Sequence, residues 1–92
     1  MRTTHRILLR IWYDPGCDIK QTIIEYLNRG ARNNCSIING SDIIRLENRY
    51  IIIKGDKDPK DEKFIPYHRI LWIKYNGKMI WSKDFLNDSE FD

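Results

Sequence analysis

The sequence predicts an α+β domain: a short N-terminal helix packed on a small, mainly antiparallel β-sheet. Three observations lead there. Residues 7–12 carry apolar side chains at helical spacing, several later runs are rich in Ile and Tyr, and Asn76-Gly77 separates two apolar runs. The 92 residues divide into a single domain over residues 1–83 and an acidic C-terminal tail over residues 84–92. A domain of this size buries only about 60–65% of its unfolded surface, which limits it to one modest core.

Taken in order, Thr3 and Thr4 are the expected N-caps of a helix over residues 4–13, with Ile7, Leu8, Ile11 and Trp12 on one apolar face. Arg6 and Arg10 flank that face, and Asp14-Pro15-Gly16 ends the helix. Residues 19–28 fit either helix or strand, but their β-branched content favours a strand over residues 22–28. Arg29-Gly30 then opens a loop through Asn33-Asn34. A strand pair is expected from Ile43-Ile44-Arg45-Leu46 and from residues 49–54, joined at Glu47-Asn48. Residues 55–63 read as a charged loop.

The last hairpin has the clearest signal, because Asn-Gly is the preferred central pair of a type I′ turn. That turn pairs Tyr75 with Lys78, Ile73 with Ile80, and Trp72 with Trp81. Strict alternation then places both tryptophans on one face. They form either a cross-strand core pair or, if exposed, a platform on which bases stack. Pro66 lacks an N–H, so it belongs at the start of a strand or at a sheet edge.

Charge points to polyanions. The net charge is +3, but residues 84–92 hold four acids and no base. The remaining 83 residues therefore carry 16 Lys and Arg against nine acids, a balance of +7. Such a surface attracts nucleic acid through counterion release, although many basic surfaces are simply solvated. No apolar run reaches the roughly 18 residues of a membrane span, and no signal-peptide pattern follows the N-terminus, so a cytoplasmic location is expected. Two cysteines without CxxC spacing, Cys17 and Cys35, read as free thiols, and two Cys plus two His are too few for a structural zinc site. No cofactor is expected.

Three constellations carry the chemistry of binding. His68 and Arg69 follow Pro66-Tyr67, and an imidazole beside a planar guanidinium suits a phosphate. Arg29-Gly30 sets an arginine beside a backbone able to turn its N–H groups outward. Trp12, Tyr67, Trp72 and Trp81 supply aromatic surface, either as core or for stacking. The catalytic templates fit poorly. His5 is the one histidine available to partner His68, and no HxT pair, HExxH, P-loop or nucleophile elbow occurs.

Arg10-Ile11-Trp12-Tyr13-Asp14-Pro15, Arg29-Gly30, and above all Ile65-Pro66-Tyr67-His68-Arg69-Ile70 with Gly77 and Trp81, resemble a small, mainly archaeal family. Its domain is described as an RNA cyclic-group end recognition domain and also occurs fused to RNA-processing modules. The resemblance spans about residues 5–83. It implies a compact α+β domain that recognises RNA ends, including those bearing a 2′,3′-cyclic phosphate. The matching residues are His68 and Arg69, then Arg29, Trp12 and Asp14. In the family a histidine or another polar residue often precedes the Arg-Gly, and here the position is Asn28 and not histidine; the loop at residues 55–63 is also longer and more charged than the resemblance implies. The expected function is RNA binding through Arg29, His68 and Arg69, with Trp12, Asp14, Tyr67, Trp72 and Trp81 stacking or supporting. Protein partners in RNA processing are also expected. The alternatives are an RNA-end-processing phosphodiesterase and a non-catalytic protein-interaction subunit.

Overall fold

A computed structural model describes residues 2–55 and 60–83. The acidic tail over residues 84–92 and part of the charged loop therefore lie outside the described residues. The described residues form helix α1 (Thr3–Tyr13) and seven strands: β1 (Thr22–Leu27), β2 (Cys35–Asn39), β3 (Ile43–Leu46), β4 (Tyr50–Lys54), β5 (Glu62–Pro66), β6 (Ile70–Tyr75) and β7 (Lys78–Ser82). The α+β class stands, with the strands divided between two sheets. One sheet has the order β2-β1-β6-β7 and the other β3-β4-β5, and every pairing is antiparallel.

Helix α1 starts one residue earlier than the caps implied. Arg2 occupies the N-cap position with no side-chain cap, and its carbonyl accepts from the Arg6 N–H at 3.0 Å. Thr4 cannot cap because it lies inside the helix, fully buried on the same face as Leu8 and Ile11. Beyond Tyr13 the Asp14 carboxylate accepts from the Gly16 N–H at 2.8 Å, an Asx turn that fixes the stop.

Strand β1 alternates Thr22, Ile24 and Tyr26 inward with Ile23, Glu25 and Leu27 outward. In the second sheet Leu46 faces Ile51, and Ile51 faces Ile65, all directed to the same interior. A single apolar cluster joins Leu8 of the helix to both sheets through Ile24, Ile51, Tyr67, Ile73 and Trp81. Among the described residues, no helix is long and apolar enough to cross a membrane.

Strand β2 lies in a stretch for which the sequence predicts no element, and β5 takes its first two residues, Glu62 and Lys63, from the expected charged loop. Strand β5 runs Glu62-Lys63-Phe64-Ile65-Pro66 at a sheet edge, where polar residues are tolerated and a missing Pro N–H costs nothing. The final hairpin keeps its turn, with Asn76 at φ 52° and Gly77 at φ 82°. Its register differs from strict alternation beyond Met79: Lys74 faces Met79, but Ile73 faces Trp81 and Trp72 faces Ser82. Ile80 is thus the extra residue of a β-bulge. The bulge sends Trp81 into the core, 5% exposed, and leaves Trp72 on the other face. The two tryptophans therefore form no pair.

Candidate functional site

The Pro66–Ile70 segment links the two sheets. Pro66 ends β5, Tyr67–Arg69 form one 3-10 turn, and Ile70 begins β6. His68 and Arg69 therefore sit on a crossover turn that leads directly into β6. Tyr67 anchors this turn. It is buried, its ring stacks on His5 with centroids 4.4 Å apart, and its Oη donates to the Glu47 carbonyl at 2.7 Å. Its N–H donates to the Arg49 carbonyl at 3.4 Å. Burial, followed by the Glu47 charge, holds the phenol proton far above its ordinary range, so Tyr67 is a neutral donor.

These tethers bring the β3–β4 turn beside the crossover turn. Between them lies a cleft of about 710 Å³ lined by Arg2, Asn48, Arg49, Tyr50, Pro66, Tyr67 and His68. Strand pairing explains the meeting, since Tyr50 faces Pro66 across the β4–β5 ladder. The N-terminal turn of α1 contributes Arg2, which stands at the positive end of the helix dipole. Lys83 reaches the same turn, its Nζ donating to the His68 carbonyl at 2.7 Å.

Of the residues expected from sequence, His68 lines the cleft, and Tyr67 supports it from within the core. Arg69 is exposed on the next position of the turn. Arg29 follows the end of β1, and Tyr26 of that strand pairs with Ile70, so Arg29 and Arg69 occupy the same end of the four-stranded sheet. The loop after Arg29 is closed by hydrogen bonds of its own: the Asn28 N–H donates to the Asn34 carbonyl at 2.8 Å, and the Gly30 N–H faces the Asn34 Oδ1 at 3.4 Å.

Trp12 and Asp14 belong elsewhere. Trp12 lies ten positions from Arg2 along α1, about 15 Å at the helical rise, and packs against the core. The chain beyond Asp14 is tied to the opposite end of the sheet, where the Asp18 N–H donates to Tyr75 Oη at 2.9 Å. Trp81 is core and cannot stack on a base. Trp72 is partly exposed outside the cleft, with its Nε1 donating to Glu25 at 2.8 Å and Lys74 Nζ 4.9 Å above its ring.

His5 lies within the fold, not at a loose terminus. It is 4% exposed, and burial lowers its pKa from 6.5, so the ring is held neutral behind Tyr67. The two histidines thus occupy different environments, one buried and one open to the cleft. Arg2, Asn48 and Arg49 had no local signature in the sequence. The β4–β5 pairing and the Tyr67 tethers assemble them, and both require the three-dimensional register.

Comparison with known proteins places this geometry in context. The family described as MJ1316 RNA cyclic group end recognition domain matches residues 1–83. A UPF0248 protein of Methanococcus maripaludis strain C6 is 29% identical over 79 residues, covering 84% of this chain and 93% of the relative. A UPF0248 protein of strain C5 is 28% identical over the same length and the same shares. No solved structure matches.

Proposed function

The chain belongs to the family of the MJ1316 RNA cyclic group end recognition domain, and from that premise we propose that it binds RNA by holding a phosphate-bearing 3′ end in the Arg2–Arg49–His68 cleft. The single observation that carries this reading is the cleft itself, which brings two guanidiniums, an imidazole and an amide around one opening beside aromatic surface. Its volume lies within the roughly 300–1,000 Å³ of small-molecule sites, which is adequate for a terminal nucleotide.

Arginine offers a planar fork to two phosphate oxygens, and His68 adds a ring N–H donor. The end group is a linear or a 2′,3′-cyclic phosphate. Arg69 and Arg29, at the adjoining end of the four-stranded sheet, lie where further phosphates would pass. No chemical step is needed for this role.

The test is affinity for a short single-stranded RNA with a 3′ phosphate. Arg49→Ala and His68→Ala should each weaken binding by about tenfold or more, the scale of a charge-assisted hydrogen bond. The affinity should fall with salt at a slope near −2 for about three neutralised phosphate charges, and Arg49→Ala should make that slope shallower by about 0.7. Both side chains are exposed, so folding should survive. Unchanged affinity in folded variants would remove the cleft from RNA binding.

A further inference from the structure

The cleft does not end at Tyr50. A second groove of about 460 Å³ shares Asn48, Arg49 and Tyr50 with it and continues over the outer face of the three-stranded sheet to Phe64. Phe64 is 54% exposed and Tyr50 39%. Their rings meet edge to face, with centroids 5.8 Å apart at 82°. Two neighbouring aromatic rings left open to solvent are unusual in so small a domain, because such rings usually supply much of its burial.

Register explains why they are adjacent. Tyr50 faces Pro66 and Ile52 faces Phe64, so alternation sets Tyr50, Ile52 and Phe64 on the face turned away from the core cluster, where the two rings are exposed and Ile52 is buried. Arg45, opposite Ile52, shares that face, and its guanidinium lies 3.1 Å from Glu47 and 3.6 Å from Glu62. Those carboxylates neutralise Arg45. Arg49, between the aromatic pair and the cleft, has no carboxylate partner among the described residues. The surface thus changes from cationic in the cleft to aromatic and near neutral in the groove. A cationic surface suits phosphate, and a neutral aromatic one suits a base.

We propose that the groove is a second nucleotide subsite, in which the base next to the RNA end stacks on Phe64 and Tyr50 while its phosphate passes Arg49. This rests on the RNA-binding reading above and extends it: the ligand is a single strand with an unpaired penultimate base. Stacking on a ring needs no particular base, so the subsite selects for single-strandedness and not for sequence.

The experiment uses four matched oligonucleotides, ending in cyclic phosphate or hydroxyl, each with an intact or an abasic penultimate nucleotide. Dissociation constants are measured for the unaltered protein, Phe64→Ala and Phe64→Leu, with thermal unfolding as the check on folding. The abasic RNA should bind the unaltered protein about 5- to 150-fold more weakly than the intact RNA, the range of one stacked base. Phe64→Ala should lose a similar factor on intact RNA and nothing further on abasic RNA. Phe64→Leu, which keeps apolar cover over the sheet, should behave as Phe64→Ala does. Equal binding of intact and abasic RNA overturns the subsite and leaves the aromatic pair to a protein partner. An equal loss by Phe64→Ala on both RNAs also overturns it. A base effect without any preference for the end group would instead remove end recognition and leave the subsite standing.

Discussion

His5 and Tyr67 show how one contact can order the proposed binding surface from beneath. Their stacked rings join α1 to the crossover turn, while the Tyr67 hydroxyl and N–H hold the backbone on either side of Asn48. Tyr67→Phe leaves the Glu47 carbonyl without its donor and should cost about 1 kcal/mol of stability, read from denaturant unfolding. The His5 environment also predicts a pH dependence. Its folded pKa lies below the unfolded value of 6.5, so near neutral pH neither state binds the proton. As pH falls through 6.5, the unfolded chain takes up the proton first, and stability declines until the folded imidazole also charges. His5→Phe should therefore lose less thermal stability than the unaltered protein between pH 7 and the acid limb. Identical slopes in both proteins would contradict a buried neutral imidazole. His68 and Arg69 were legible because they follow Pro66-Tyr67, but His5 carried no sign of burial. It sits just outside the Ile7–Trp12 face, and only packing against Tyr67 encloses it.

At the scale of elements, the legible features were those set by local chemistry. Asn76-Gly77 supplies the two positive φ angles that a type I′ turn requires, and β3 and β4 follow their apolar runs closely. The bulge at Ile80 was hidden because a one-residue insertion leaves composition unchanged while reversing every later side chain. That reversal separates Trp72 from Trp81. Strand β5 was hidden by Glu62 and Lys63, which suit an exposed edge as well as they suit a loop. Gly40 offers a test of the packing around β1. A Cβ there would run into the Ile19 carbonyl oxygen and approach the Thr22 carbonyl oxygen at 3.1 Å. Gly40→Ala should accordingly destabilise the fold by about 2–3 kcal/mol, seen as a lower denaturant midpoint. An unaltered midpoint would mean that the turn before β3 is not pressed against the residues before β1.

Across the whole molecule, the chain passes between the two sheets twice, at Gly40–Asp42 and at Tyr67–Arg69, and the second crossover helps bring distant cations to one end. Arg2, Arg49 and His68 come from the helix terminus, the β3–β4 turn and the crossover, and Lys83 closes in from the end of β7. A basic body was legible in the composition but not where its charge would gather, because the cleft residues come from three separate stretches, Arg2, Asn48–Tyr50 and Pro66–His68. The end-chemistry comparison tests the central proposal most directly. Matched single-stranded RNAs ending in hydroxyl, linear phosphate and 2′,3′-cyclic phosphate are titrated against the protein at one salt concentration, since affinities at different ionic strengths cannot be compared. A 3′ end held in the cleft predicts that one or both phosphate-bearing ends bind about tenfold or more tightly than hydroxyl, and that His68→Ala with Arg49→Ala abolishes the difference. Equal affinity for all three ends would contradict it.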